Sequence, residues 1–168
     1  ARDLGIAPNT AKKYVEILEA LFVIFRVAPH ARGIVRSLRK EPKFYFYDTG
    51  QLPADAGARF ENLVAVSLLK HALGMTDSLG RTHELRYLRT KEGHEVDFCL
   101  VTQQRPTLMI EAKVSRKRVS PSLQYFRTRY EIPAAQVVLH LRREGVDSDV
   151  EVRRASSFLQ GLPIVGGQ

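Results

Sequence analysis

The spacing of apolar side chains changes several times along this chain, and each change marks an element. In residues 9–20, Ala11, Tyr14, Val15 and Leu18 recur three and four apart and continue to Leu21, one helical apolar stripe with Lys12, Lys13 and Glu16 off it and facing outward. Pro8, Asn9 and Thr10 supply helix-start chemistry, with Asn9 or Thr10 as the expected N-cap. A β-rich run follows from Leu21 to Val27, then a basic loop carrying Arg32, Arg36, Arg39 and Lys40, then a second strand over Lys43 to Tyr47. The segment DTGQLPADAGA, residues 48–58, has no apolar period and divides two differently patterned regions.

Beyond it, GARFENLVAVSLLKHAL is a helix apolar nearly all round, and a helix of that kind is buried. Glu61 shares a face with Ala65, Leu68 and Ala72, so its carboxylate needs a partner; an exposed first-turn Glu favoured by the helix dipole reads the same way. HELRYLRT is a strand, KEG a tight turn, and HEVDFCLV a second strand with Val96, Phe98 and Leu100 on one face and Asp97, Cys99 and Val101 on the other. A loop, TQQRP, leads to TLMIEAKVS, where Met109, Glu111 and Lys113 share one face and Leu108, Ile110, Ala112 and Val114 the other. Ser120 caps a helix with Pro121 in its first turn and Leu123, Phe126 and Tyr130 at helical spacing, and AQVVLHLR is a fully apolar strand. Strand, crossover helix and covered strand imply a parallel pair. Further strand and helix signals lie in DVEVRRA and SSFLQGL.

The expected fold class is α/β, an αβββαβ core with a mixed sheet, preceded by a small α+β domain. The expected organisation is residues 1–50, a linker at 51–58, a second domain at 59–156, and a C-terminal helix and tail at 157–168. In the first domain Leu4, Gly5 and Ile6 read as the turn of a helix-turn-helix, and the basic-tipped hairpin completes a winged helix. Its recognition helix would be residues 9–20, with Asn9, Thr10, Lys12 and Lys13 near a DNA groove and Arg32, Arg36, Arg39 and Lys40 on phosphates. A basic helical hairpin that only docks another domain shows the same pattern. The chain opens on Ala1 inside a helical signal, which suggests a piece of a longer protein.

Charge adds a partner. Lysine and arginine number 26 against 18 acids, a net +8, and each side of residue 60 carries +4; a polyanion is the natural partner, since neutralising a phosphate releases a counterion. The single cysteine, Cys99, excludes an internal disulfide and a cysteine-based zinc cluster. With no apolar run of membrane length and no signal peptide, a cytoplasmic protein without a membrane partner is expected. His71, His83, His94 and His140 form no metal spacing, although His94 lies near Asp97 in sequence.

Residues 57–142 resemble the PD-(D/E)XK, or restriction-endonuclease-like, superfamily. Glu61 stands for the acid of its first helix, Asp97 for the acid of its second core strand, and Glu111-Ala112-Lys113 for its acid-x-Lys signature, with Val96 where its nominal proline would be. Gln124 stands where some members carry a polar active-site residue. The combination of FYFYDTG, ARFENLVAVSLL, GHEVDF and IEAKVS also resembles the carboxy-terminal region of a large prokaryotic family of AAA+ ATPases. These resemblances imply a Mg²⁺ (or Mn²⁺) site on Asp97, Glu111 and the Ala112 carbonyl, with Lys113 orienting or deprotonating water, Glu61 holding an outer water or second ion, and DNA as substrate. No P-loop occurs, so ATP would belong to an upstream ATPase domain and this stretch should not hydrolyse it. An ion-pair cluster on a solvated sheet face accounts for the same three charges, and a non-cleaving DNA-binding or protein-interaction module remains the alternative, with an oligomer left open.

Overall fold

The computed structural model describes residues 5–30, 41–53 and 55–162 as a mixed α/β fold of eight strands and four helices. Arg32, Arg36, Arg39 and Lys40, along with Leu4 and residues 163–168 of the tail, lie outside the described residues. In chain order the elements are α1 (Pro8–Ala20), β1 (Ile24–Pro29), β2 (Lys43–Phe46), α2 (Ala56–Leu79), β3 (His83–Arg89), β4 (Glu95–Thr102), β5 (Arg105–Ser115), α3 (Pro121–Tyr130), β6 (Ala134–His140), β7 (Gly145–Asp147), β8 (Val150–Arg154) and α4 (Ala155–Gln160).

One sheet runs β2-β1-β3-β4-β5-β6-β8-β7. Its centre is the antiparallel meander β3-β4-β5, and the α3 crossover returns the chain to β6, parallel to β5. The crossover predicted from the pattern is therefore present, because a fully apolar strand needs both of its faces covered. Helices α2 and α4 cover one face with Phe60, Val64, Leu68 and Phe158 against Phe98 and Ile110. Helix α3 covers the other with Leu123 and Phe126 against Val96, Cys99 and Met109. The β1–β2 hairpin continues the same sheet, since β1 pairs parallel with β3 through Ala28↔Arg86 and Pro29↔Tyr87.

Several expectations need correction. Helix α1 begins at Pro8 with Ala7 as N-cap and no side-chain cap, so Asn9 and Thr10 lie within its first turn; proline at the first helical position presets the backbone and needs no hydrogen-bonded N–H. None of its residues is buried, and Tyr14, Leu18 and Leu21 of its apolar stripe are exposed among the described residues. Helix α2 starts at Ala56 on an Asp55 cap that accepts from Ala58 N–H at 2.9 Å. Residues 56–58 of the expected linker are thus its first turn. It is also less enclosed than its composition implied, with Leu63 and Leu73 exposed. The TQQRP loop contracts to the two-residue turn Gln103-Gln104, both at positive φ (47° and 67°), the backbone that lets a tight hairpin follow strand twist.

The most consequential departure lies in β4. Between Arg86↔Cys99 and Leu88↔Val96 the register slips by one residue. Asp97 and Phe98 together oppose Tyr87, which is a β-bulge, and an extra residue reverses the alternation on one side of it. Val96 consequently packs with Cys99 and Val101 beneath α3, not with Phe98 as the alternation predicts.

Candidate functional site

The bulge places Asp97 where the pairing of β4 with β5 stops, for that ladder runs from Thr102↔Arg105 to Phe98↔Ile110. In place of a strand carbonyl, Asp97 Oδ2 accepts the Ala112 N–H at 3.1 Å. Its other oxygen, Oδ1, lies 3.7 Å from Lys43 Nζ. Burial raises the Asp97 carboxyl to about 6; the charge of Glu61 adds to this, Lys43 and the Ala112 N–H oppose it, and Glu111 raises it further. A carboxylate in this position has too little compensating positive charge.

Glu111 and Lys113 stand together on β5, as the alternation predicts, with Lys113 Nζ 2.7 Å from Glu111 Oε1. Glu111 is buried and its other oxygen accepts a hydrogen bond from Ser120 Oγ at 2.5 Å. Ser120 is at the same time the N-cap of α3, accepting from Leu123 N–H at 3.1 Å. One hydroxyl therefore fixes both the helix start and the acid. The lysine amine of Lys113 loses some basicity by burial, but the Glu111 hydrogen bond and charge, with Asp97 and Glu61 further out, hold it above the ordinary value.

Glu61 reaches the group from α2, well past the first turn, since the helix begins five residues earlier at Ala56. It meets Asp97 from the α2 face, while Glu111 and Lys113 lie toward α3. Its Oε1 accepts a hydrogen bond from Tyr45 Oη at 2.7 Å and lies 3.8 Å from Lys43 Nζ. Burial and the neighbouring Glu61 push the Tyr45 phenol well up, so it remains a donor.

Lys43 joins the acids. Its ammonium lies 2.8 Å from Glu95, 3.7 Å from Asp97 and 3.8 Å from Glu61, and stands over the Tyr87 ring at 5.5 Å. Desolvation lowers its pKa, but the Glu95 hydrogen bond and the Asp97 and Glu61 charges outweigh it, and the net direction is upward. Buried Asn62 anchors the strand that delivers Lys43 and Tyr45: its Oδ1 accepts from Phe46 N–H at 2.8 Å, and its Nδ2 donates to the Phe46 carbonyl at 2.9 Å and to Thr49 Oγ1 at 3.0 Å.

Lys43, Tyr45, Glu95 and Ser120 were missed from sequence. The FYFY strand and the Ser-Pro helix start pointed to structure, and only contact across the sheet shows their second role. Gln124 does not reach the cluster through any hydrogen bond described; its Nε2 donates to the Val119 carbonyl at 3.3 Å. Asn9, Thr10, Lys12 and Lys13 are exposed on α1, with Lys12 3.8 Å from Glu16. His94 stacks on Tyr125 with ring centroids 4.2 Å apart.

Four carboxylates, Glu61, Glu95, Asp97 and Glu111, thus meet two ammonium groups, with Arg89 on the outer oxygen of Glu95 at 3.2 Å. Among the described residues no group of three or more His, Cys, Asp and Glu is arranged to hold a metal ion; Lys43 lies among Glu61, Glu95 and Asp97, while Glu111 pairs with Lys113. A model of the family described as Domain of unknown function (DUF4143) matches residues 56–157. The chain belongs to that family. Asp97, Glu111, Lys113 and Ser120 all lie within the DUF4143 match, while Lys43 and Tyr45 lie in residues 1–61, matched by a second model, Domain of unknown function (DUF8612). The site is therefore assembled by the DUF4143 segment and the hairpin that precedes it.

Two curated relatives, uncharacterized proteins of Mycobacterium bovis and Mycobacterium tuberculosis, are each 26% identical over 138 residues. The match covers 74% of this chain and 30% of theirs, so the chain spans less than a third of the length of the curated relatives it matches. No solved structure gives a significant match. No helix among the described residues is long and apolar enough to cross a membrane.

Proposed function

We propose that this chain is a DNA-binding, nuclease-like module of the PD-(D/E)XK type that hydrolyses phosphodiester bonds with Mg²⁺ or Mn²⁺. The observation that carries the reading is the tether between Asp97 and the Glu111-Ala112-Lys113 run: the Ala112 N–H holds Asp97 beside the acid-x-Lys pair, where neither strand geometry nor packing asks for an acid. The order α2-β3-β4-β5-α3-β6, with an antiparallel meander and a parallel return, supports the same resemblance.

The donor chemistry fits a small divalent cation. Mg²⁺ keeps several waters and takes few protein oxygens, and Asp97, Glu111 and the Ala112 carbonyl would supply them. Burial and the charge of Glu61 raise the Asp97 carboxyl, and a cation beside it would favour its ionised form. When bound, such an ion neutralises phosphoryl oxygens and makes an attacking water more acidic. Lys113 would orient the attacking water and face the negative charge developing on the phosphoryl oxygens. Ser120 holds Glu111 in position, and Tyr45 and Lys43 fix Glu61. Exposed Asn9, Thr10, Lys12 and Lys13, with Arg32, Arg36, Arg39 and Lys40 further along the chain, would make phosphate and groove contacts as a winged helix-turn-helix. The unit would serve as the carboxy-terminal part of an AAA+ ATPase, with ATP held elsewhere; the much greater length of the curated relatives supports a further domain.

One observation favours a second reading. Lys43 lies within salt-bridge distance of three of the four acids, so the same geometry suits a module that binds nucleic acid without cutting it. Supercoiled plasmid incubated with the protein and Mg²⁺ or Mn²⁺ separates the two. Nicking that disappears in Asp97→Asn and Lys113→Met supports hydrolysis; intact plasmid under DNA-binding conditions selects the non-cleaving module.

A further inference from the structure

We infer that the loop of residues 116–119, Arg116-Lys117-Arg118-Val119, is a preorganised docking strip for the phosphodiester backbone of nucleic acid. It joins the two site residues of β5 to the serine that holds one of them. Lys113 stands three residues before its start, and Ser120, the hydroxyl donor to Glu111, follows its end.

The loop is held at its middle and at both ends. Gln136 lies in register with Glu111 on the neighbouring strand, is wholly buried, and donates its Nε2 to the Lys117 carbonyl at 2.9 Å. Val119 is buried, its carbonyl accepts from Gln124, and Ser120 closes the loop on the α3 N-terminus. Gln136 Oε1 is buried without a hydrogen-bond partner among the described residues. A lone unsatisfied acceptor is costly in a protein interior, yet the fold keeps an amide there, where a hydrophobic residue would pack without that cost but could not grip Lys117.

Three side chains on this anchored backbone, Arg116, Lys117 and Arg118, are cationic and exposed. Arg116, Lys117 and Arg118 make no ion pair among the described residues, in contrast to Lys43, Arg26, Arg89, Arg127 and Arg153. Three adjacent positive charges without acidic partners repel one another, and a string of phosphates relieves that repulsion while releasing counterions. The strip thus gives Gln124, which the site itself did not use, a place in holding the loop. It also places phosphate contacts within a few residues of Glu111, so that a backbone seated on the strip passes the acid cluster.

The inference rests on the nucleic-acid reading above but not on cleavage. The test is fluorescence anisotropy with short duplex and single-stranded DNA, in Ca²⁺ or EDTA, over a range of salt concentrations. Replacing Arg116, Lys117 and Arg118 by Gln should lower the slope of log K against log salt by about 2 to 3, since each phosphate contact contributes about 0.7–0.9. Gln136→Leu keeps all three charges and should weaken binding with the slope unchanged, provided circular dichroism shows the native fold. An unchanged slope in the triple variant overturns the inference, as does binding of anionic vesicles with the same loop dependence and no DNA binding. DNA binding with the predicted slope but no plasmid nicking upholds the strip and removes hydrolysis alone.

Discussion

The Ala112 N–H donates to Asp97 Oδ2 at 3.1 Å across the point where β4 and β5 cease to pair. A side chain here stands in for the backbone acceptor that a continuous ladder would provide. The bulge makes this possible, because it turns Asp97 out of the alternation that would have set it beside Cys99 under α3. Asp97 and the Glu111-Ala112-Lys113 run are therefore one mechanical unit.

Asp97→Asn is expected to stabilise the protein at neutral pH. A carboxyl whose folded value is raised from 3.8 to about 6 binds its proton more tightly folded than unfolded. Its contribution to stability is complete below the unfolded value and is lost as pH rises through about 6. Asparagine keeps an acceptor for Ala112 and carries no charge to bury. Urea unfolding should show a gain of about 1–3 kcal/mol at pH 7 that shrinks toward zero by about pH 4, the trade expected of a group kept for function rather than stability. A variant less stable than the parent at pH 7 counts against an uncompensated carboxylate.

Lys43 supplies positive charge that a divalent ion would otherwise bring. Lys43→Gln should tighten Mn²⁺ binding by about tenfold or more, because a unit charge at contact distance in a partly buried site is worth more than 1.4 kcal/mol. Lys43→Arg, which keeps the charge, should stay near the parent affinity. Isothermal titration calorimetry reads both, and equal affinities for parent and Lys43→Gln contradict the competition.

Asn62 is the fastener between α2 and the hairpin. Asn62→Ala removes three hydrogen bonds and leaves the Phe46 N–H and carbonyl without partners at a buried position. The expected loss is about 2–4 kcal/mol in urea unfolding. Hydrogen exchange should localise the loosening to residues 43–47, the segment that carries Lys43 and Tyr45.

The central fold was legible because its signals are local. Period-two runs, the Ser120-Pro121 helix start and the apolar β6 gave the meander and the crossover. What escaped was set by contacts between distant segments or by single-residue slips. The bulge at Asp97 and Phe98 changes no residue type, so alternation assigns Val96 to the wrong face. The β7 strand is three residues long, too short to show a period. Glu111 and Lys113 were found as a pair through strand alternation, and Glu61 through an acid on an apolar helix. Lys43 was not found, because a lysine in an aromatic strand looks like an edge residue until the sheet brings it to Glu95.

The most direct test of the account is Mn²⁺ binding, followed by electron paramagnetic resonance at neutral pH on the parent, Asp97→Asn and Glu111→Gln. One ion bound per chain in the parent, and loss of that ion in each variant, is the expected result. No bound ion at millimolar Mn²⁺, or binding that survives both substitutions, contradicts a metal site on Asp97 and Glu111.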